Sequence, residues 1–431
     1  MDKSQRRVLM FYARKKLIIT TAVILAIVLV LGVVASALCF TEQGQNVIDE
    51  VKDYGGDLIV KIETAINEQK GSVPNDKDQS MQEQDSGNNL KYALDEKGTG
   101  YVVVGMKSYD CTDIVIPSTY RDMPVTQIGY KAFYNSELRS IVIPSSVTDI
   151  QNKAFANCAK LRQVTIADGV TKIGASAFSG CVELQRVKFS DGVKWMGEKV
   201  FEGCVSLTDI TLPGTLYFIP AYAFSDCKNL TRITIPDSVD NINNYAFLNC
   251  TKLNNVIIPN SVGYVGRGAF KGCTGLTEIH LSNGMIEICA EVFSNCTGLT
   301  KIQLPDSITQ IGSEAFSNCA GLTSIHLPDG VTQIGTAAFS GCTGLRDIVL
   351  PKSLTSIEEY VFRRCEALTD ITIQGNVETI VTNAFDDCFN LSNIYYTKGE
   401  ADWANVKKRV SSVPTVSLED VTIHYNCSVA S

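Results

Sequence analysis

The sequence contains few of the residues on which catalytic and metal sites usually depend. Its 431 residues include three histidines and two tryptophans, and charged residues make up only 19% of the chain. It has no glycine-rich phosphate loop, no nucleophile elbow and no HExxH pair of metal-binding histidines. The sequence therefore predicts a protein that is not an enzyme and needs no cofactor.

Large clusters of positive charge are absent after the first 16 residues. The net charge is −8, and the later lysines and arginines form no run longer than three. Binding to a nucleic-acid backbone requires such clusters, because each phosphate contact needs a cation. We therefore expect no nucleic-acid partner.

The N-terminus has a different composition from the rest of the chain. Met1–Lys16 carries six basic residues and one acid, and the 24 residues of Leu17–Phe40 carry no charge. As a helix this run would reach roughly 36 Å, enough to cross a bilayer core. The basic flank predicts a single-pass signal anchor with a cytoplasmic N-terminus, followed by an extracytoplasmic stalk over residues 41–89. The alternative is a signal peptide cleaved after Ala37, which would release a secreted protein.

Phenylalanine recurs at an almost constant interval through the rest of the chain. The first interval is 22 residues and the other ten are 23, and cysteine follows three residues later in all turns but the first, which has Ser136. Such a period indicates stacked supersecondary units. The twelve positions are Phe133, Phe155, Phe178, Phe201, Phe224, Phe247, Phe270, Phe293, Phe316, Phe339, Phe362 and Phe385.

One unit, Leu322–Gly344, shows how each copy should fold. Alternation in its first residues predicts a short strand with Ile325 and Leu327 pointing inward, ended by Pro328. The Ala338-Phe339 pair would fill the interior. A single unit cannot bury its own apolar side, so the copies should stack into a solenoid of about twelve coils.

The pattern L-x-x-I-x-I-P-x-x-V-x-x-I-G-x-x-A-F-x-x-C-x-x matches nearly all units and resembles the BspA-type leucine-rich repeat family. The resemblance implies an α/β, right-handed solenoid with a parallel sheet on its concave side. It also implies a surface protein that mediates adhesion or recognition, typically bacterial. We expect an N-terminal cap hairpin and first strand over residues 90–117, the solenoid over 118–400 and a C-terminal cap over 401–431.

The repeated cysteine is predicted to be a packing residue. Equivalent positions in stacked coils present single thiols about 5 Å apart, whereas zinc needs four ligands converging on one point. Parallel side-chain directions also disfavour disulfides, and a buried thiol behaves as a small apolar group. The sequence does not decide whether Cys39, Cys111, Cys289 and Cys427 include a bonded pair.

Polar side chains should cover the concave sheet, where two features are candidates for binding. Arg186, Lys188 and Arg232 form a weak basic spot, and His280 and His326 share one repeat column two coils apart. That separation, about 10 Å, is too long for a shared metal. Either these residues contact a partner or they form an ordinary solvated sheet surface.

Aromatic residues interrupt the repeat in the middle of the chain. Six residues before the phenylalanine the repeat usually has a polar residue, but Trp195, Phe218 and Tyr264 occupy this position in three units. Tyr222 and Tyr245 lie two residues before it. Exposed aromatic patches often mark contact sites, so these residues could dock a protein or a sugar ring. Alternatively, they stack along the coils and only stabilise them.

Together these patterns predict a membrane-anchored, cell-surface leucine-rich-repeat protein that binds a protein or glycan ligand. Two other functions are compatible with the same sequence. The chain could be a structural scaffold of the cell envelope, or a secreted binding module released after Ala37.

Overall fold

The computed structural model describes residues 89–108, 111–374, 376–409 and 415–428. The predicted tail, the predicted anchor Leu17–Phe40 and the predicted stalk up to residue 88 lie outside these ranges, as does Cys39. Within the described ranges no helix is both long and apolar enough to cross a bilayer.

Short strands make up most of the regular structure. In chain order they are β1 (Leu90–Leu94), β2 (Tyr101–Met106), β3 (Asp113–Val115), β4 (Thr119–Tyr120), β5 (Met123–Ile128), β6 (Ser140–Ile143), β7 (Asp149–Ile150), β8 (Gln163–Ile166), β9 (Lys172–Ile173), β10 (Arg186–Lys188), β11 (Trp195–Met196), β12 (Asp209–Thr211), β13 (Phe218–Ile219), β14 (Arg232–Thr234) and β15 (Asn241–Ile242). They continue with β16 (Asn255–Ile257), β17 (Tyr264–Val265), β18 (Glu278–His280), β19 (Glu287–Ile288), β20 (Lys301–Gln303), β21 (Gln310–Ile311), β22 (Gln333–Ile334), β23 (Asp347–Leu350), β24 (Ser356–Ile357), β25 (Asp370–Ile373), β26 (Thr379–Val381), β27 (Asn393–Tyr396), β28 (Lys407–Arg409) and β29 (Thr422–His424).

The strands form two parallel ladders that run along a solenoid of about thirteen turns. The first ladder consists of the sheets β3-β6-β8-β10, β12-β14, β16-β18-β20 and β23-β25-β27-β29. The second ladder consists of β2-β5-β7-β9-β11, β13-β15-β17, β19-β21-β22 and β24-β26-β28. Equivalent residues pair across neighbouring turns, as Asn241 does with Tyr264. The first ladder corresponds to the sheet predicted for the concave side, and the handedness of the coil stays a prediction.

The α/β class predicted for the solenoid is wrong: the described turns form a β-solenoid. Helical structure in the described ranges is limited to α1 (Glu400–Ala404) and a 3-10 helix at Thr382–Phe385. The segment around each phenylalanine is instead a run of tight turns with left-handed residues, such as Tyr222 (φ 55°) and Asp226 (φ 58°). A helix cannot continue through residues with positive φ. These segments are joined by hydrogen bonds between turns, such as the Phe224 amide donating to the Ala246 carbonyl at 2.8 Å.

Twelve phenylalanine rings form a continuous stack through the interior. Neighbouring ring centroids lie 5.0–6.0 Å apart, and the ring planes diverge by no more than 21°. All twelve rings are buried, as are the inward residues predicted for the unit Leu322–Gly344. The predicted core is therefore confirmed.

The repeated cysteines lie beside this stack and are all buried and unbonded to one another. Each thiol donates to the carbonyl oxygen of the phenylalanine in the preceding turn, over 2.9–3.2 Å. Cys181, for example, donates to Phe155. The prediction of a packing role is confirmed, and the thiol also satisfies a buried carbonyl group.

The two ends of the solenoid have their own structures. At the N-terminal end β1 and β2 form an antiparallel hairpin, and β2 pairs in parallel with β5 of the first turn. At the C-terminal end α1 places Trp403 edge-on to Tyr396, with ring centroids 5.2 Å apart. This last turn follows the twelve turns that contain a repeat phenylalanine, which gives about thirteen turns in all.

The strand predicted at Leu322–Pro328 does not form as a paired strand. Its inward side chains are buried as expected, but the segment pairs neither with β20 nor with β23. The second strand of the same turn, β22, was not predicted, because Gln333 and Ile334 are too few to show an alternating pattern.

Candidate recognition surfaces

The first ladder presents two columns of outward side chains. One column is formed by the first residue of each strand, and it includes Arg186, Arg232, Glu278 and Lys301. The other is formed two residues later in each turn, and includes Lys188, His280 and His326. Both columns are exposed over most of their length, so the fold presents them to solvent as predicted from their period.

A shallow groove of about 660 Å³, here called the histidine groove, crosses the first ladder where the pairing of strands is interrupted. Its floor includes Ile302 of the paired strand β20 and Ile325 of the unpaired segment, which are 9% and 8% exposed. The polar residues that line it include Glu278, His280, Lys301, Gln303, His326 and Asp347. The interruption therefore creates a concavity with an apolar floor and charged walls.

His280 and His326 both line this groove, so the fold brings the two predicted histidines to one site. The Nε2 atom of His280 lies 3.8 Å from the Oε1 atom of Glu278, which belongs to the same strand. Described residues contain no group of three histidine, cysteine or carboxylate side chains arranged to hold a metal.

A second groove of about 450 Å³, here called the arginine groove, lies at the interruption between β10 and β12. Arg186 and Lys188 line it together with Asp191 and Asp209. Asp209 is aligned with Arg232 in the next strand, so a carboxylate separates the two arginines of the predicted basic spot. The local charge is therefore mixed rather than basic.

The aromatic residues predicted as a patch occupy two different places. Trp195, Phe218 and Tyr264 begin strands of the second ladder, whereas Tyr222 and Tyr245 lie in the tight turns beside the phenylalanine stack. Asn241 stands between Phe218 and Tyr264 in the ladder. The five residues therefore do not form one continuous aromatic surface.

Several of these rings already have partners within the chain. Tyr222 and Tyr245 stack with centroids 5.1 Å apart, and the ammonium of Lys199 lies 5.4 Å from the centre of Tyr222. Lys172 lies similarly over Trp195, at 5.2 Å. Contacts of this kind stabilise neighbouring turns by about 0.5–1.5 kcal/mol each. They favour the structural interpretation of Tyr222 and Tyr245 over the docking interpretation.

Tyr264 lies at the more open part of the second ladder, near two polar groups. Burial raises its pKa, and so does the proximity of Cys289 and Glu287. The pKa of Cys289 is itself raised to about 12 by burial and by a hydrogen bond with Glu287. This thiol is therefore protonated and poorly nucleophilic at neutral pH.

The sequence prediction overlooked one apolar residue on the same ladder. Ile286 is 64% exposed, at a position where six of the twelve turns have a threonine. In most of those turns the threonine hydroxyl donates to a carbonyl of the previous turn, as Thr332 does to Thr309 over 3.3 Å. The sequence does show that Ile286 replaces this threonine. That replacement becomes informative only when the hydrogen bond of the threonine hydroxyl to the previous turn is known.

A partly buried ion pair joins the tight turns that contain Arg267 and Glu291. The carboxylate of Glu291 is 8% exposed and accepts hydrogen bonds from Arg267 (Nε, 2.8 Å) and from Lys271. Burial opposes ionisation, but the bonds from Lys271 and Arg267 outweigh it, so the pKa of Glu291 lies below its usual value. The pair fastens two neighbouring turns together.

We expect Glu291→Ala to lower the free energy of unfolding by about 1–2 kcal/mol at pH 7, because two cations lose their acceptor. A lowered folded-state pKa adds stability above the ordinary glutamate value near 4.3, and this contribution is lost as the pH falls through the lowered value. Urea unfolding at pH 7 and pH 3 should therefore show a smaller deficit in acid. Glu314→Ala is the matched control, since Glu314 also has a positive φ but is exposed. Equal losses in both variants at pH 7 would contradict the prediction.

Comparison with known proteins agrees with the repeat architecture. The model of the BspA type leucine rich repeat region matches three overlapping stretches, residues 126–254, 196–320 and 286–405. No functionally curated protein is significantly similar to the chain.

Two similar solved structures are bacterial leucine-rich repeat proteins. A leucine rich cell surface protein of Faecalibacterium prausnitzii is 29% identical, with a TM-score of 0.51, over 77% of this chain and 98% of that one. A leucine-rich repeat protein of Bacteroides ovatus is 27% identical, with a TM-score of 0.51, over 81% of this chain and all of that one. Because the family match spans well over half of the sequence, the chain belongs to the BspA type leucine rich repeat family.

Proposed function

We propose that the chain is a cell-surface recognition protein that binds a protein partner through the first ladder. The observation that carries this proposal is the histidine groove, a concavity at an interruption of the sheet with an apolar floor between charged walls. Stacked repeats commonly use an extended sheet face in this way, because neighbouring turns can vary their outward residues without changing the core.

The uncharged run Leu17–Phe40 supports display outside the cell. With the basic residues of Met1–Lys16 on the cytoplasmic side, everything after Phe40 would be extracytoplasmic. The similar Faecalibacterium prausnitzii structure is named a cell surface protein, which agrees with this location. The protein would therefore be a bacterial adhesion or recognition module on a membrane anchor.

The proposal is tested on whole cells that carry the full chain. Brief protease treatment of intact cells should remove the repeats, and the remaining cells should lose binding to an array of purified extracellular proteins and glycans. Cells that carry Glu278→Gln with Asp347→Asn should lose the same binding without losing surface display. Repeats that stay protected in intact cells, or binding that is unchanged in this variant, would overturn the proposal.

A further inference from the structure

The histidine groove has an excess of negative charge when its histidines are neutral. Glu278 and Asp347 line it, and Asp370 adjoins Asp347 in the next paired strand. The single ammonium among them belongs to Lys301. Three carboxylates against one cation favour a positively charged occupant.

The surroundings add one cation, because the exposed Arg346 directly precedes Asp347. On the N-terminal side β16 presents Asn255 and Ile257, which are uncharged. On the rim Asp306 follows Pro305, a residue of the groove lining, and the carboxylate of Asp329 pairs with Lys352 at 2.6 Å. Asp306 offsets Arg346, so the groove together with its rim keeps the negative excess.

Two titratable groups lie among these charges. His280 and His326 belong to one column, with Gln303 between them, and the side chain of His280 is 58% exposed. Histidine ordinarily gains a proton near pH 6.5, whereas aspartate and glutamate ordinarily do so near pH 4. An imidazole that gains a proton at either position places a positive charge beside these carboxylates.

We propose that the histidine groove binds a lysine- or arginine-rich protein segment at neutral pH and releases it on mild acidification. This inference rests on the proposed recognition function and names the chemistry of the partner. The carboxylates attract the cationic side chains, and protonation of His280 and His326 places like charges beside them. Release is then a property of the groove and does not require the solenoid to unfold.

The test measures binding of fluorescently labelled decalysine to the full chain in detergent at pH 7.5 and pH 5.5. We expect affinity to fall roughly fivefold to tenfold at the lower pH, which corresponds to about 1 kcal/mol of added repulsion. His280→Gln with His326→Gln should change affinity less than about twofold between pH 7.5 and pH 5.5, whatever its affinity at pH 7.5. His424→Gln is the matched control, because His424 is the remaining histidine and lies outside the groove.

A second pair of variants separates groove binding from general attraction to an acidic protein. Glu278→Gln with Asp347→Asn should weaken decalysine binding about tenfold at pH 7.5. Asp168→Asn with Asp237→Asn removes the same charge from exposed positions outside the groove and should leave affinity within about twofold. Circular dichroism melts of all variants exclude loss of fold as the cause.

Each result supports or overturns the inference. Weak decalysine binding, equal binding by both carboxylate pairs, or pH dependence that persists without His280 and His326 would overturn it. If the whole-cell array instead identifies a neutral or anionic ligand that needs the groove, the recognition function stands and this inference fails. If the repeats are protected in intact cells while decalysine behaves as expected, the surface function fails and the groove chemistry stands.

Discussion

Replacing Phe247 with alanine should lower the free energy of unfolding by about 4 kcal/mol, the largest effect we expect from a single substitution. The ring is fully buried, with neighbouring rings 5.5 Å and 5.1 Å away in the turns on either side. Truncation removes the apolar side chain, leaves a cavity and breaks two ring contacts. Because each turn contacts mainly its neighbours, the loss also weakens the coupling between the two halves of the solenoid.

Urea unfolding followed by tryptophan fluorescence and circular dichroism measures this change. Phe389→Ala is the matched control, since the same substitution there removes a ring that is 72% exposed. We expect this control to stay within about 0.5 kcal/mol of the wild type. A loss at Phe247 no larger than the loss at Phe389 would contradict the role of the ring stack.

The repeated thiols should resist alkylation in the native protein by several orders of magnitude relative to an exposed cysteine. Burial raises the pKa of Cys296 and Cys342 to about 12, so thiolate is rare near pH 8. The thiolate is the reactive form, and each thiol proton is also held by a carbonyl of the preceding turn. Alkylation should therefore report opening of the solenoid rather than surface reactivity.

Iodoacetamide labelling followed by peptide mass mapping measures this protection. Cys111 is exposed and provides the reference within the same molecule. In denaturant all fifteen cysteines should react at similar rates. If native Cys296 and Cys342 react as fast as Cys111, the prediction that burial protects the repeated thiols is wrong.

Much of the fold follows from the repeat pattern. The 23-residue interval between phenylalanines predicts the solenoid, the ring stack and the inward thiols, and the structure confirms all three. These features are readable because burial imposes the same residue type at the same position in every turn. The spacing of apolar residues can be read directly along the sequence.

The second ladder and the tight turns were harder to predict from the sequence. Two-residue strands such as β22 are too short for an alternating pattern, and the predicted α/β class was wrong because left-handed positions replace helices. The position two residues before the phenylalanine accepts tyrosine, glutamate and alanine alike, so its positive φ leaves no mark in composition. The docking role of Trp195, Phe218 and Tyr264 stays a prediction.

The interior of this protein can be read from the repeat pattern alone, because every buried position recurs in each turn. The same pattern puts His280 and His326 in one outward column. That this column borders a groove is visible only in the folded chain. The segment Ser324–Leu327 has the same pattern as its paired neighbours, yet it pairs with neither β20 nor β23. Neighbouring turns remain hydrogen-bonded there at other positions, as the Thr332 amide is to the Thr309 carbonyl. Whether two short strands also pair depends on their relative placement in the stack, which the pattern of a single repeat does not specify.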